Sequence, residues 1–130
     1  MNASGARTVQ LLLADDCLAV RRCLRTRLSL ESDLEVVSEA GSGAEAISLA
    51  EVLRPEVVLM DLTMPGMDGI SATSVLRSVA PATAVVILTL HDDAETRVRA
   101  VEAAAAAFVA KHQTKETLLV EIRQAGHGGH

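Results

Sequence analysis

Three short apolar runs constrain this chain more than any other feature. Leu11-Leu12-Leu13, Val57-Val58-Leu59-Met60 and Val85-Val86-Ile87-Leu88 are brief and unbroken by polar residues. Runs of this kind read as strands buried on both faces, which requires a layer of helices on each side. Two of them end in acids. The first leads into Asp15-Asp16 and the second into Asp61, followed by Leu62-Thr63-Met64-Pro65-Gly66-Met67-Asp68-Gly69. In open α/β sheets, ligands gather outside the carboxyl ends of the strands. If these two strands are neighbours, three carboxylates share one edge, and their mutual repulsion calls for a cation.

The intervening segments carry helix signals. Residues 18–30 place Cys17, Val20, Leu24 and Leu28 at helical spacing, with Arg21, Arg22 and Arg25 on the opposite side. Residues 34–38 form a β-branched run that reads as a strand. Ser42 and Glu45 have capping-box spacing and open a helix that ends near Arg54, because Pro55 follows. Asp68 is expected to cap a helix over residues 69–79, and Asp92 with Glu95 to open another. Residues 108–110 read as a short strand leading to Lys111. Thr114 is expected to cap a last helix that turns Leu118, Leu119 and Ile122 inward. With strands over 8–14, 56–60 and 84–89, the order is five strand-then-helix units. The fold class is α/β: a single five-stranded parallel sheet with helices on both faces.

A length of 130 residues suits one domain, and a hydrophobic content of 49% supplies a substantial core. That core is aliphatic, since the chain has one Phe and no Tyr or Trp. Base-stacking recognition of nucleic acid lacks its aromatic platforms, and a net charge of −5 argues against polyanion binding. Cys17 and Cys23 are six positions apart on one helix and read as small apolar residues in a reducing cytoplasm. No signal segment opens the chain and no apolar stretch approaches ~18 residues, so a soluble, non-exported, cytoplasmic domain is expected. Residues 1–7 are expected to be a flexible N-terminus, 8–125 the folded domain, and 126–130 a flexible tail whose His127 and His130 are solvated rather than metal-bound.

At the carboxyl ends of the expected strands stand Asp15 and Asp16, Asp61, Thr89 and Lys111. Acids, a hydroxyl and an ammonium around one crevice suit phosphoryl transfer. A hard divalent cation lets the carboxylates coexist, a lysine offsets further charge, and a carboxylate can act as nucleophile to give an aspartyl-phosphate. This arrangement resembles the receiver domain of two-component response regulators over about residues 8–125. The segment from Asp61 to Gly69 carries the resemblance most specifically, and the Asp pair, Thr89 and Phe108-Val109-Ala110-Lys111 fall in family order. Residues 54–61 (RPEVVLMD) and 88–93 (LTLHDD) look most like the subfamily with LuxR-type DNA-binding output domains, the LuxR/NarL-like regulators.

The resemblance implies a flavodoxin- or CheY-like (βα)5 fold, Mg²⁺ as cofactor and a sensor histidine kinase or phosphotransfer protein as partner. It implies that Asp61 is the phosphoacceptor, that Asp16 binds the metal directly with Asp15 assisting, and that Thr63 offers its backbone carbonyl. Thr89 is the switch hydroxyl, Lys111 pairs with the phosphoryl group, and Phe108 is the switch aromatic. It further implies that helix 18–30 docks the kinase, that phosphorylation favours a homodimer, and that the domain itself binds neither DNA nor membrane. Such a domain catalyses only its own phosphoryl transfer and dephosphorylation. Transcription would be controlled through an output domain absent from these residues.

Some features depart from the family pattern. Ala103–Ala107 is all alanine where glycines usually stand, so either Ala104 adopts a left-handed conformation at ~1 kcal/mol or the helix runs on. Leu90 is bulky for its place, and Thr63 and His91 occupy positions that tune dephosphorylation. Two other readings compete. A pseudo-receiver that binds protein without phosphorylation conflicts with the intact acidic set. A phosphohydrolase of the haloacid dehalogenase type conflicts with Thr63 two places after Asp61 and with an acidic pair that comes first.

Overall fold

The computed structural model describes residues 8–90, 93–111 and 113–127. Strands and helices alternate along them: β1 (Val9–Ala14), α1 (Leu18–Leu28), β2 (Leu34–Ala40), α2 (Gly43–Leu53), β3 (Val57–Asp61), α3 (Gly69–Val79), β4 (Ala84–Thr89), α4 (Ala94–Glu102), β5 (Ala107–Ala110) and α5 (Lys115–Gly126). The sheet is parallel, in the order β2-β1-β3-β4-β5. β1 and β3 are neighbours, with Leu11 opposite Val57 and Ala14 opposite Met60. The acids that follow these strands therefore emerge side by side.

Alternate residues of each strand feed two separate cores, as the pleat requires. Leu12, Val58, Met60 and Ile87 pack with Ala46, Ala72, Leu76 and Ala100 on the α2–α3–α4 side. Leu11, Leu13, Leu59, Val86 and Leu88 pack with Leu28, Leu119 and Ile122 on the α1–α5 side. This two-sided burial is why the strand sequences show no polar alternation.

The helix ends follow local chemistry. Ser42 Oγ accepts from Glu45 N at 3.1 Å, while Glu45 Oε1 accepts from Gly41 N at 2.7 Å, so the reciprocal bond of the capping box falls one residue earlier. Asp68 caps α3 through Ser71 N at 2.8 Å, and Thr114 caps α5 through Thr117 N at 3.2 Å. The cap of α4 is Asp93, which accepts from Thr96 N at 2.8 Å. Asp92, expected in that role, lies outside the described residues, as do His91, His130 and residues 1–7.

Several boundaries differ from expectation. α1 stops at Leu28, where Ser29 Oγ bonds back to Arg25 O and closes the turn. Cys17 is exposed, an N-cap rather than part of the apolar face. β2 continues to Ala40, past a register shift opposite Leu11/Leu12. Gly126 closes α5 instead of opening a tail. Among the described residues, no helix is long and apolar enough to cross a membrane.

Candidate functional site

Each acid is placed by the strand before it. Asp15 follows β1 and is buried. Its N donates to Ala40 O at 3.0 Å, which prolongs the β1–β2 ladder by one residue. Its Oδ1 accepts from Cys17 N at 2.9 Å, a side-chain turn that starts α1. Its Oδ2 is left to face Lys111 Nζ at 3.3 Å. Asp16 is exposed. Asp61 ends β3 and is buried, with Oδ1 at 2.9 Å from Lys111 Nζ. Asp15, Asp16 and Asp61 each offer an oxygen within 4.8 Å of the other two.

Lys111 arrives from β5. Its N donates to Thr89 O at 2.7 Å, so the backbone ties the ends of β4 and β5 together. Gln113 Oε1 accepts from Ala110 N at 2.8 Å and shapes the turn that follows. Thr89 is buried at the end of β4. Thr63 is exposed in the loop after β3. Gly69 explains how that loop returns so tightly: its N donates to Leu62 O at 2.8 Å, and a Cβ there would lie 2.4 Å from Asp61 O. Any side chain at this position would push α3 away from the phosphoacceptor candidate.

The electrostatics are unequal across the Lys111–Asp61 pair. Burial, with the charge of Asp15 adding to it, raises the Asp61 carboxyl above its ordinary value despite the Lys111 hydrogen bond. Burial works against the Lys111 ammonium, but Asp61 and Asp15 outweigh it and raise that group. The two directions are consistent. One ammonium is shared between two acids, so Lys111 gains more than Asp61 does. The cluster thus carries an excess of negative charge in a partly desolvated pocket, and its donors are all oxygens. Both properties fit a hard divalent cation.

Phe108 is half-buried on β5, with the Arg97 guanidinium 4.9 Å from its ring centroid. Leu90 is 71% exposed, so its bulk is not packed against the carboxylates. Ala104 takes the left-handed conformation, at φ 66°. Ala105 N donates to Ala100 O at 3.1 Å and Ala104 N to Val101 O at 2.9 Å. This is a Schellman closure built on alanine where glycine is the usual residue.

Sequence reasoning missed ion pairs that join separate elements. Arg21 and Arg25, read as an outward stripe, both bind Glu39 of β2, at 3.0 and 2.7 Å. Arg123 of α5 holds Asp33 at 2.8 Å and Glu31 at 2.9 Å in the α1–β2 loop. Arg123 lowers the Asp33 carboxyl, and Arg25, then Arg21, lower that of Glu39. No local pattern announces such pairs, because the partners lie on different elements.

Fold and pocket together define a parallel α/β domain with an acidic cluster and a lysine at the carboxyl edge of its sheet, and comparison with known proteins supplies its family. The response regulator receiver domain matches residues 11–123, and the chain belongs to that family. It is 40% identical over 121 residues to the transcriptional regulatory protein YhcZ of Bacillus subtilis, covering 93% of this chain and 56% of that protein. It is 35% identical over 121 residues to the response regulator protein VraR of Staphylococcus aureus, covering 93% of this chain and 58% of that protein. The crystal structure of a LuxR-family two-component response regulator from Aurantimonas superposes with a TM-score of 0.89 at 33% identity, covering 93% of this chain and 86% of that one. The LuxR-like character expected from residues 54–61 and 88–93 agrees with this relative. The chain spans a little over half the length of the curated relatives it matches.

Proposed function

We propose that Asp61 accepts a phosphoryl group from a partner histidine kinase or phosphotransfer protein, and that the modified domain switches conformation to control an output. The observation that carries this reading is the convergence of three carboxylates within 4.8 Å, with Lys111 Nζ bridging two of them. An Asp61 carboxylate oxygen attacks phosphorus, the P–N bond to the donor imidazole breaks, and the imidazole leaves with the electron pair and is protonated. Lys111, freed from Asp61, pairs with the incoming phosphoryl oxygens, and the buried Thr89 hydroxyl moves to another of them. Phe108 then repacks beside it. Asp15, Asp16, Asp61 and the Thr63 carbonyl would hold Mg²⁺, which would offset charge on the transferring group. In this reading the domain is no enzyme toward other substrates and works in the cytoplasm.

The docking face for the kinase is α1. A groove of about 210 Å³ between α1 and α5, lined by Leu24, Leu28 and Leu118 with Arg27 and Lys115 at its rim, opens beside Lys111. Arg21 and Arg25 are engaged with Glu39, so the exposed Arg22 and Arg27 are the cations presented to a partner. The output is transcription through a DNA-binding domain, by analogy with the longer relatives, with homodimerisation on phosphorylation as the relay.

Intact mass after incubation with Mg²⁺ and acetyl phosphate tests the reading. The parent gains one phosphoryl group and Asp61→Asn gains none. Equal gain in both, or no gain together with no beryllium fluoride binding, overturns it.

A further inference from the structure

Asp15 is held by its backbone N, its carbonyl and its side chain. Its N reaches β2, its side chain starts α1, and its carbonyl accepts from Arg21 Nη1 at 2.5 Å. Only the last of these comes from a side chain of another residue. Arg21 sits in the first turns of α1 and is 16% exposed. Its Nε donates to Glu39 Oε1 at 3.0 Å, and Glu39 Oε2 accepts from Arg25 Nη1 at 2.7 Å. Glu39 lies on β2 opposite Leu13 of β1. A planar guanidinium therefore spans from the sheet to the loop that carries Asp15 and Asp16, and a second arginine fixes the carboxylate that anchors it. The fork geometry suits this bridging, which a lysine cannot reproduce.

We infer that Arg21, anchored by Glu39, is a positioning residue that holds the Asp15–Asp16 loop in the fixed arrangement a small divalent cation requires, and so sets selectivity for Mg²⁺ over Ca²⁺. The inference rests on the reading of Asp15, Asp16 and Asp61 as cation ligands. Mg²⁺ tolerates little distortion of its oxygen shell, whereas Ca²⁺ accepts longer and more variable ligand sets. Groups that orient metal ligands from behind change metal affinity by about 10–100-fold when removed. The other groups facing this loop do not substitute for Arg21. Among the described residues, Lys111 acts on the carboxylate oxygens of Asp15 and Asp61, and Arg25 reaches Glu39 and Val36 O.

Charge alone gives the opposite sign. Arg21 is a cation beside a cation site, so if it acted only through its field, removing it would tighten divalent binding. Positioning predicts weaker binding, and a loss specific to the more demanding ion.

The test titrates the whole chain, ¹⁵N-labelled, with Mg²⁺ and separately with Ca²⁺, following the amides of Asp16, Cys17 and Lys111. Arg21→Ala is expected to weaken Mg²⁺ by roughly tenfold and Ca²⁺ by much less, so the Mg²⁺/Ca²⁺ affinity ratio falls. Arg21→Lys, which keeps the charge but not the fork, recovers only part of the ratio, and it carries the same test if the alanine variant does not fold. Glu39→Gln shifts the ratio in the same direction. Arg21→Ala binding Mg²⁺ as tightly as the parent or more so, or losing both ions in proportion, overturns the inference. Failure of the underlying reading looks different: the parent itself binds neither ion, or Asp61→Asn binds both as the parent does.

Discussion

Ala104→Gly should make this domain more stable, although it removes a methyl group. Ala104 is exposed at φ 66°, so the methyl contributes little packing and the backbone is in the region that L residues avoid. That conformation costs a non-glycine residue roughly 1–2 kcal/mol. Glycine gives back about 0.5–1 kcal/mol through the greater freedom of its unfolded chain. The net gain is about 0.5–1 kcal/mol. For a domain of this length the unfolding entropy near the midpoint is roughly 0.27 kcal/mol per kelvin, so Tm should rise by about 2–4 °C. Thermal unfolding followed by far-ultraviolet circular dichroism, with urea unfolding beside it to check that the m-value is unchanged, measures this. Ala103→Gly supplies the control of opposite sign: Ala103 is right-handed and 7% exposed, so glycine there loses both packing and helix propensity. A Tm for Ala104→Gly at or below that of the parent would refute the argument that the alanine run stores strain at the end of α4.

Two further substitutions probe the pocket. Asp61→Asn should raise Tm in metal-free buffer at pH 7. The Asp61 carboxyl is raised in the folded state by burial, so its favourable contribution is full below the unfolded value and is lost as pH rises through the folded one. The difference between parent and variant should therefore shrink as pH falls toward about 4, and a gap that widens on acidification would contradict the assignment. Gly69→Ala should lower stability by more than 1 kcal/mol and slow phosphorylation by acetyl phosphate, because its Cβ would lie 2.4 Å from Asp61 O and displace the start of α3; unchanged urea midpoint and rate would show that the loop yields freely.

The parts of the fold that were legible in advance are those with local chemistry. α3 and β4 have the bounds expected from Asp68, Pro81 and the apolar run, because caps, prolines and burial act within a few residues. The clustering of Asp15, Asp16, Asp61 and Lys111 was legible because parallel strands all end at one edge. What escaped was non-local or stereochemical. Arg21 and Arg25 look like any solvated stripe until Glu39 arrives from another strand. Cys17 has helical spacing with Val20 and Leu24, yet sits before the helix because the Asp15 side chain takes its N–H. Arg54 takes φ 50° at the end of α2, a position where sequence would ask for glycine or asparagine. For Ala104 the sequence left two outcomes open, and the helix stopped instead of running on because Ala105 and Ala104 could satisfy the last carbonyls of α4.

Phe108 is the only phenylalanine in a chain without tyrosine or tryptophan, and its half-buried ring lies under the Arg97 guanidinium. The chain is consequently almost transparent at 280 nm, and its phenyl signal comes from one ring on β5. Incorporating 4-fluorophenylalanine would label that ring alone, giving a single ¹⁹F resonance with no assignment problem. A guanidinium stacked over the ring and one withdrawn from it shield the fluorine differently, so one peak can report ring position through a titration.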